Sequence, residues 1–288
     1  MRRISQLSVL CLAAGALSAC SQDQVVQTEA IPTAGVRFIN AVPDTGGSAG
    51  LDFRFVDLVE NNAQFKVAFR NNIVTTGGVP ASTQIEYKNT RAGQRHFRIF
   101  LSDPDQAVAQ VVLKDTTVTI EAGKLYTVML WGNARGGAPA MRLSFITDNP
   151  PDPGSQVALR VINATGSPID ARQYLSTGSV PAAATWANIA PLSASSFVNV
   201  APSQYRFNVQ PAGGGTALFS DALALPGATA SVDVEALPGT TIAGSAVTAI
   251  VWPRSVAGSK APQAAAFNTP AVSFVWDRRP PRACSPLC

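Results

Sequence analysis

A single histidine, His96, limits the chemistry that the chain can perform. It rules out zinc sites built from several imidazoles, and any Ser-His-Asp triad would have to use it. The Gly-x-Ser-x-Gly pattern, which positions the nucleophile of many serine hydrolases, occurs at Gly46–Gly50, but it stands in a glycine-rich turn without the helix that should follow a nucleophile. His96 alternates with Phe97 and Ile99, a pattern that predicts an exposed histidine on a half-buried strand. We therefore predict no catalytic residue, no metal and no cofactor.

Acidic residues are the remaining candidates for catalysis or calcium binding. We predict that Asp103–Asp105 and Asp148–Asp152 form solvated turns, because neither stretch has the ligand spacing of an EF-hand. A glycosidase needs two carboxyl groups across a cleft, and no pair stands out among the 18 acidic residues. A carboxylate-dependent hydrolase of polysaccharide or peptide therefore stays open as an alternative to a non-catalytic protein.

The amino terminus has the features of a bacterial lipoprotein signal. Two arginines precede an apolar stretch, Leu7–Leu17, which is shorter than the roughly 20 apolar residues of a membrane-spanning helix. The sequence Leu17-Ser18-Ala19-Cys20 then resembles the lipobox that the lipoprotein signal peptidase recognises. We expect cleavage between Ala19 and Cys20, and lipidation of Cys20. Two or three acyl chains would anchor the protein to a membrane outside the cytoplasm. The absence of aspartate after Cys20 favours the outer membrane or cell surface.

Two further cysteines, Cys284 and Cys288, lie at the end of a basic, proline-rich tail. Outside the cytoplasm they can form a disulfide that closes a very short loop, or they can stay as unpaired thiols. Their spacing, without a nearby histidine or further cysteine, is poor for zinc.

The composition is typical of an exported β-protein and excludes nucleic acid as a partner. Charged residues make up only 14% of the chain, which has 22 glycines and 21 prolines. The formal charge of +4 falls to +2 without the two signal arginines, too small an excess for a nucleic-acid interface. Valine, isoleucine and threonine between glycine and proline turn signals favour short strands.

The chain contains an internal repeat. The segment Val36–Ala41 returns as Leu159–Ala164, and Tyr126–Trp131 returns as Val247–Trp252. Two further pairs match in the same order: Asp52–Phe55 with Asp170–Tyr174, and Gly93–Ile99 with Pro202–Val209. Each copy has roughly a hundred residues, the size of one immunoglobulin-like sandwich.

From these patterns we predict an all-β protein with two tandem immunoglobulin-like β-sandwich domains. A proline-rich linker separates the two domains. It predicts that they lie in an extended tandem, with restricted motion of one domain relative to the other. A last strand and the basic tail follow the second domain. The predicted segments are the signal peptide at 1–19, the lipidated tether at 20–34, the two domains at 35–148 and 156–262, the linker at 149–155, and the last strand and tail at 263–288.

Trp186 is the residue that we single out for ligand contact. Trp131 and Trp252 occupy equivalent places in the two copies, which favours a role in core packing. Trp186 has no counterpart in the first copy, so it can be exposed and can stack on a sugar or a partner protein. We therefore expect an envelope protein or a glycan as the partner.

Two motifs of the first copy carry a family resemblance. Val36–Ala41, with Pro43 and Asp44 after it, matches a Val-Arg-Val-x-Asn-Ala-Ser-Pro-Asp strand and turn. Gly123–Val128 matches a later Gly-Lys-x-Tyr-Thr-Val strand. In both motifs the chain resembles domain-of-unknown-function family 4397, from which the second copy departs more. The resemblance implies a secreted, surface-associated β-sandwich of bacteria, often in tandem, and it brings no catalytic residues.

Three functions follow as hypotheses. The favoured one is a non-catalytic lipoprotein, held on the membrane by its lipid anchor, that binds a partner or organises the cell envelope. The alternatives are the carboxylate-dependent hydrolase and a purely structural surface spacer. A cleft with two nearby acids would support the hydrolase, whereas a flat face would support binding.

Overall fold

The computed structural model consists of short strands joined by turns. In the described part of the chain, no helix is long and apolar enough to cross a membrane. The predicted signal peptide, the cleavage site at Ala19 and Cys20, and the pair Cys284 and Cys288 lie outside the described residues. The structure describes residues 30–45, 50–57, 69–71, 85, 87–102, 105–231, 234–259, 261 and 263–281.

The first copy forms two four-stranded sheets. The strand order is β4-β1-β7-β8 in one sheet and β3-β2-β5-β6 in the other. Strands β1 and β7 are parallel, and the other neighbours are antiparallel. A short helix, α1 (Gln106–Ala109), is capped by the Asp105 side chain, which accepts a hydrogen bond from the Ala107 amide. The strands are β1 (Thr33–Ala41), β2 (Gly50–Phe55), β3 (Phe69–Asn71), β4 (Lys88–Arg91), β5 (Gly93–Ser102), β6 (Val112–Ile120), β7 (Leu125–Trp131) and β8 (Arg142–Asp148).

The second copy repeats this plan. One sheet has the order β12-β9-β16-β17, with β13 also paired to β9, and the other has the order β11-β10-β14-β15. Strands β9 and β16 are parallel, like β1 and β7. The strands are β9 (Val157–Asn163), β10 (Ile169–Leu175), β11 (Trp186–Ile189), β12 (Ser193–Ala194), β13 (Val198–Val200), β14 (Tyr205–Pro211), β15 (Ala222–Leu223), β16 (Ala246–Trp252) and β17 (Ala271–Arg278); a 3-10 helix (Ala265–Phe267) precedes β17.

We call the sheet that contains β1 and β7, and its counterpart that contains β9 and β16, the inner sheets of the two copies. Strand β17 completes the inner sheet of the second copy, because it pairs with β16 along its whole length. The predicted boundary at residue 262 therefore separates this strand from the sheet to which it belongs. Strand β8 has the same place beside β7 in the first copy.

Each copy is a sandwich, since apolar side chains from both of its sheets meet in one core. In the first core, Phe38 stacks on Phe97 with ring centroids 5.6 Å apart. In the second, Trp186 stacks on Phe207 at 6.0 Å. Complete burial of such a side chain contributes about 1.5–3 kcal/mol. The prediction of an all-β protein with two β-sandwiches is confirmed.

A third core joins the two sandwiches. Strands β1 and β9 are buried on both faces: Phe38 points into its own sandwich, while the neighbouring Ile39 lies on the opposite face. The described residues from Pro32 onwards accordingly form one compact unit, and the predicted extended tandem is wrong. The third core includes Ile39, Met129 and Trp131 of the first copy, and Ile162, Ile250 and Trp252 of the second.

Candidate functional site

Two arginines lie between the inner sheets of the two sandwiches. Arg37 on β1 precedes Ile39 by two residues, and Arg160 on β9 has the same relation to Ile162, so all four side chains face the third core. The side chains of Arg37 and Arg160 are only 0% and 3% exposed. Arginines are almost never buried this completely without partners, so their contacts define the site.

Each arginine first binds a threonine of its own copy. Arg37 Nε donates to Thr127 Oγ1 at 2.7 Å, and Arg160 Nε donates to Thr248 Oγ1 at 2.8 Å. These threonines are on β7 and β16, the parallel neighbours of β1 and β9. Each threonine in turn donates its hydroxyl to an aspartate of its own copy: Thr127 to Asp148 Oδ2, and Thr248 to Asp277 Oδ2.

The ion pairs then cross from one copy to the other. Arg37 Nη2 donates to Asp277 Oδ1 at 2.7 Å, and Arg160 Nη2 donates to Asp148 Oδ1 at 2.6 Å. Arg160 also reaches Asp277 of its own copy at 3.0 Å, whereas Arg37 Nη2 is 3.9 Å from Asp148. The contacts are thus reciprocal, as in an isologous interface between two like surfaces. We name the six residues Arg37, Thr127, Asp148, Arg160, Thr248 and Asp277 the exchange cluster.

An aromatic ring covers each arginine. The Arg37 guanidinium carbon is 4.5 Å from the centre of the Tyr87 ring, and that of Arg160 is 4.6 Å from the centre of the Phe197 ring. The two rings differ in the phenol oxygen of Tyr87, whose hydroxyl donates to Asp148 Oδ2 at 2.8 Å. Phe197 has no hydroxyl and leaves the cluster without a corresponding donor on its side.

Burial and charge act on the same groups. Burial raises the pKa of the Tyr87 phenol, so the hydroxyl keeps its proton and remains a donor. Burial alone would lower the pKa of Arg37, but the nearby charge of Asp277, with a further contribution from Asp148, raises it above the ordinary value. The positive charges of the two guanidinium groups and the negative charges of the two carboxylates therefore cancel between the sheets. The arrangement has a structural role.

Asp148 and Asp277 correct two predictions. Asp148 was expected in a solvated turn, and Asp277 lies in the segment 263–288 that was predicted as a last strand and basic tail. Asp148 instead ends β8, Asp277 is the penultimate residue of β17, and both side chains are 0% exposed. The sequence does carry a signal for this, because Ser144–Asp148 and Ser273–Asp277 share serine, phenylalanine and aspartate at the same spacing. This fifth repeat match would have linked the two carboxylates.

Trp186, which the sequence singles out as a possible ligand contact, is instead buried. Only 5% of the residue is accessible, and its indole Nε1 donates to the Ser196 carbonyl at 2.9 Å. Stacking on Phe207 leaves its ring inside the second core. Trp131 and Trp252 are buried at the interface between the copies, which confirms their predicted role in packing.

His96 lies on the outer face of β5, as the alternation with Phe97 and Ile99 predicts. Phe97 and Ile99 are fully buried, whereas the His96 side chain is 37% exposed and its Nε2 is 2.5 Å from Asp115 Oδ1. Arg98 binds the other oxygen of Asp115, and the hydrogen bond from His96 leads the contacts that lower the pKa of this carboxyl. Among the described residues, no three histidine, cysteine or acidic side chains gather as metal ligands.

A groove of about 710 Å³ opens beside the Arg160 end of the exchange cluster. It runs between the end of β8 and the segment 192–199, which contains β12 and the start of β13. Its lining comprises Ile146, Thr147, Asn149, Pro151, Arg160, Leu192, Ser193, Ala194, Ser195, Ser196, Phe197 and Asn199.

Comparison with known proteins finds a family that matches part of the chain. Residues 34–171 match the family described as Domain of unknown function (DUF4397). The resemblance seen in the sequence is thereby confirmed for one stretch, which covers the first copy and continues through β9 into β10. The DUF4397 match thus includes Arg37, Thr127, Asp148 and Arg160 of the exchange cluster. No curated protein matches the chain.

Three solved structures are similar to the chain at 9% sequence identity. The Bacillus anthracis TIE protein has a TM-score of 0.20 over 78% of this chain, which spans only 34% of that protein. A proposed cell adhesion protein from Parabacteroides distasonis has a TM-score of 0.21, with 86% of this chain and 99% of that one covered. A proposed cell adhesion protein from Bacteroides fragilis has a TM-score of 0.17, with 88% and 99% covered.

Proposed function

We propose that the protein is a non-catalytic lipoprotein of the cell envelope, anchored through Cys20, whose joined sandwiches form one rigid binding module. The lipid holds it on the outer membrane or cell surface, and the residues before the first strand act as a tether. A glycan or envelope protein is the expected partner.

The observation that carries this proposal is the exchange cluster. Arg37 binds Asp277, and Arg160 binds Asp148, so both ion pairs tie one sandwich to the other. An interface fixed by buried ion pairs and apolar contacts resists hinge motion between domains. This supports a module that presents a fixed surface, and the purely structural surface spacer stays an alternative to it.

The same observation weakens the hydrolase alternative. Asp148 and Asp277 are close together, since the Tyr87 hydroxyl and Arg160 Nη2 each contact both of them. A glycosidase also uses two nearby carboxyl groups, but those groups line an open cleft. Here both side chains are inaccessible and bound to guanidinium groups, so a substrate cannot reach them.

Anchoring is tested with Cys20→Ala and the matched control Cys11→Ala. Cells grown with an alkyne analogue of palmitate are lysed, and the incorporated label and membrane fractionation of the protein are compared. We expect Cys20→Ala to lose the label and leave the membrane fraction, because the acyl attachment site is gone. Cys11→Ala should keep both, since Cys11 is removed with the signal. An unlabelled parent protein would contradict the proposal.

Position is tested by protease treatment of intact cells, with detection of the protein before and after lysis. Loss of the sandwiches from whole cells would support presentation on the outer face. Protection until lysis would place the module in the periplasm and direct the search to envelope partners.

A further inference from the structure

The groove beside Phe197 is lined by uncharged polar groups together with apolar side chains. Hydroxyls come from Thr147, Ser193 and Ser196, and amides come from Asn149 and Asn199. Among the described residues that line the groove, Arg160 is the only charged one, and it is already bound to Asp148 and Asp277. A ligand of this groove therefore meets donors and acceptors without a net charge.

The two amides are available for a ligand. Asn149 and Asn199 are both exposed, and neither side chain hydrogen-bonds to another group in the described part of the chain. An amide offers one acceptor and two donor hydrogens, which suits the hydroxyl groups of a sugar. The Phe197 ring lies in the same groove, where it can pack against the C–H face of a pyranose.

We propose that this groove binds a neutral saccharide, with Asn149 and Asn199 hydrogen-bonded to its hydroxyls and Phe197 packed against one ring. The inference rests on the proposed role of the protein as a binding module and names the chemical class of its ligand. The volume of about 710 Å³ is within the usual range of ligand pockets, which often lie between domains.

The geometry disfavours an added peptide strand as the occupant. Strand addition needs a continuous edge of backbone donors and acceptors. The edge beside the groove is divided into β12, with two residues, and β13, with three. Between them the Ser195 hydroxyl, rather than a partner strand, accepts the Val161 amide hydrogen at 2.9 Å.

Pseudo-equivalence of the copies supplies a matched control. Asn89 pairs with Gly35 on β1, and Asn199 pairs with Ala158 on β9, so the two asparagines occupy equivalent positions. Asn89 is also exposed but is absent from the groove lining. Asn89→Ala therefore makes the same chemical change away from the groove.

The experiment measures binding of neutral hexasaccharides to the full mature chain by saturation-transfer NMR and titration calorimetry. The panel contains gluco-, manno-, xylo- and N-acetylglucosamine hexamers, with an acidic hexagalacturonate and an uncharged valine-threonine peptide as comparisons. We expect at least one neutral sugar to bind with a Kd of about 1 mM or tighter. Asn149→Ala and Asn199→Ala should each weaken it about 3- to 10-fold, and Asn89→Ala should not.

Three results would overturn the inference: no binding of any neutral sugar, binding unchanged in Asn149→Ala and Asn199→Ala, or tighter binding of the peptide through these asparagines. Failure here is distinct from failure of the proposed function, since palmitate labelling and membrane fractionation are read without any ligand.

Discussion

Arg37 and Asp277 form a fully buried ion pair at 2.7 Å, although 240 residues separate them in the chain. The pair joins the first strand of one sandwich to the last strand of the other. Burying charge is costly, and well-packed apolar residues can give equal or greater stability. We infer that the value of the exchange cluster is specificity, because the face-to-face register seen here brings each arginine against an aspartate of the other copy.

Replacing Asp277 with asparagine should strongly destabilise the protein. The change leaves Arg37 and Arg160 with one carboxylate between them in a site closed to water. Breaking a buried ion pair costs about 3–5 kcal/mol of unfolding free energy. Urea unfolding of the mature chain, followed by tryptophan fluorescence, measures the loss.

Asp152→Asn is the matched control for that substitution. Asp152 also binds an arginine, Arg278, at 2.8 Å, but the two side chains are 59% and 36% exposed. An exposed ion pair contributes about 0–1 kcal/mol, so this variant should unfold close to the parent. Equal losses in both variants would refute a special role for burial.

Ser273→Ala should cost more than Ser144→Ala, although the two serines occupy the same position in the repeat. The Ser273 hydroxyl accepts from Trp252 Nε1 at 2.7 Å, and both residues are buried. Its removal leaves a buried indole N–H without a partner, at a cost of about 1–3 kcal/mol. The Ser144 hydroxyl makes only a long contact of 3.4 Å to the Leu192 carbonyl. Thermal unfolding of the two variants compares them directly, and an equal change would contradict the assignment.

Tyr87 should make the protein sensitive to alkaline pH. Its folded pKa is raised by burial, so its contribution to stability is fully present below the unfolded pKa of about 10. That contribution is lost as the pH rises from about 10 towards the folded pKa. The unfolding free energy of the parent should therefore fall more steeply than that of Tyr87→Phe above pH 10. Parallel pH profiles would show that Tyr87 is not the group responsible.

The all-β architecture could be predicted because strand alternation and turn residues are local properties of the sequence. Val36 and Phe38 alternate with other residues in the way that a half-buried strand requires. The same stretch also holds Ile39 and Ala41 on the opposite face, which indicates a strand buried on both sides. That second apolar face was the missing signal for joined sandwiches.

The exchange cluster could not be predicted from local pattern, because one of its ion pairs, Arg37 with Asp277, joins residues that are 240 positions apart in the chain. Asp148 and Asp277 each stand next to proline- and charge-rich segments, and this context resembles a solvated turn. Only alignment of the serine, phenylalanine and aspartate positions in β8 and β17 would have paired them. Even then, the exchange of partners between copies depends on how the inner sheets stack.

Trp186 shows a different limit of reasoning from the repeat. The lack of a counterpart in the first copy suggested a surface role, but strand β11 places the indole inward against Phe207. A large aromatic side chain on an edge strand can still fill a core when its alternation points inward. Phe197, in contrast, was not among the predicted site residues, although Phe197-Val198-Asn199 follows the pattern of Tyr87-Lys88-Asn89.

The most direct test of the joined sandwiches is a double-mutant cycle on Arg37→Met and Asp277→Asn. Unfolding free energies of the parent, both single variants and the double variant give the coupling between the two side chains. We predict a coupling of at least about 1 kcal/mol, larger than that of Arg37 with the more distant Asp148. Additive losses, with coupling below about 0.3 kcal/mol, would contradict the contact between the two copies.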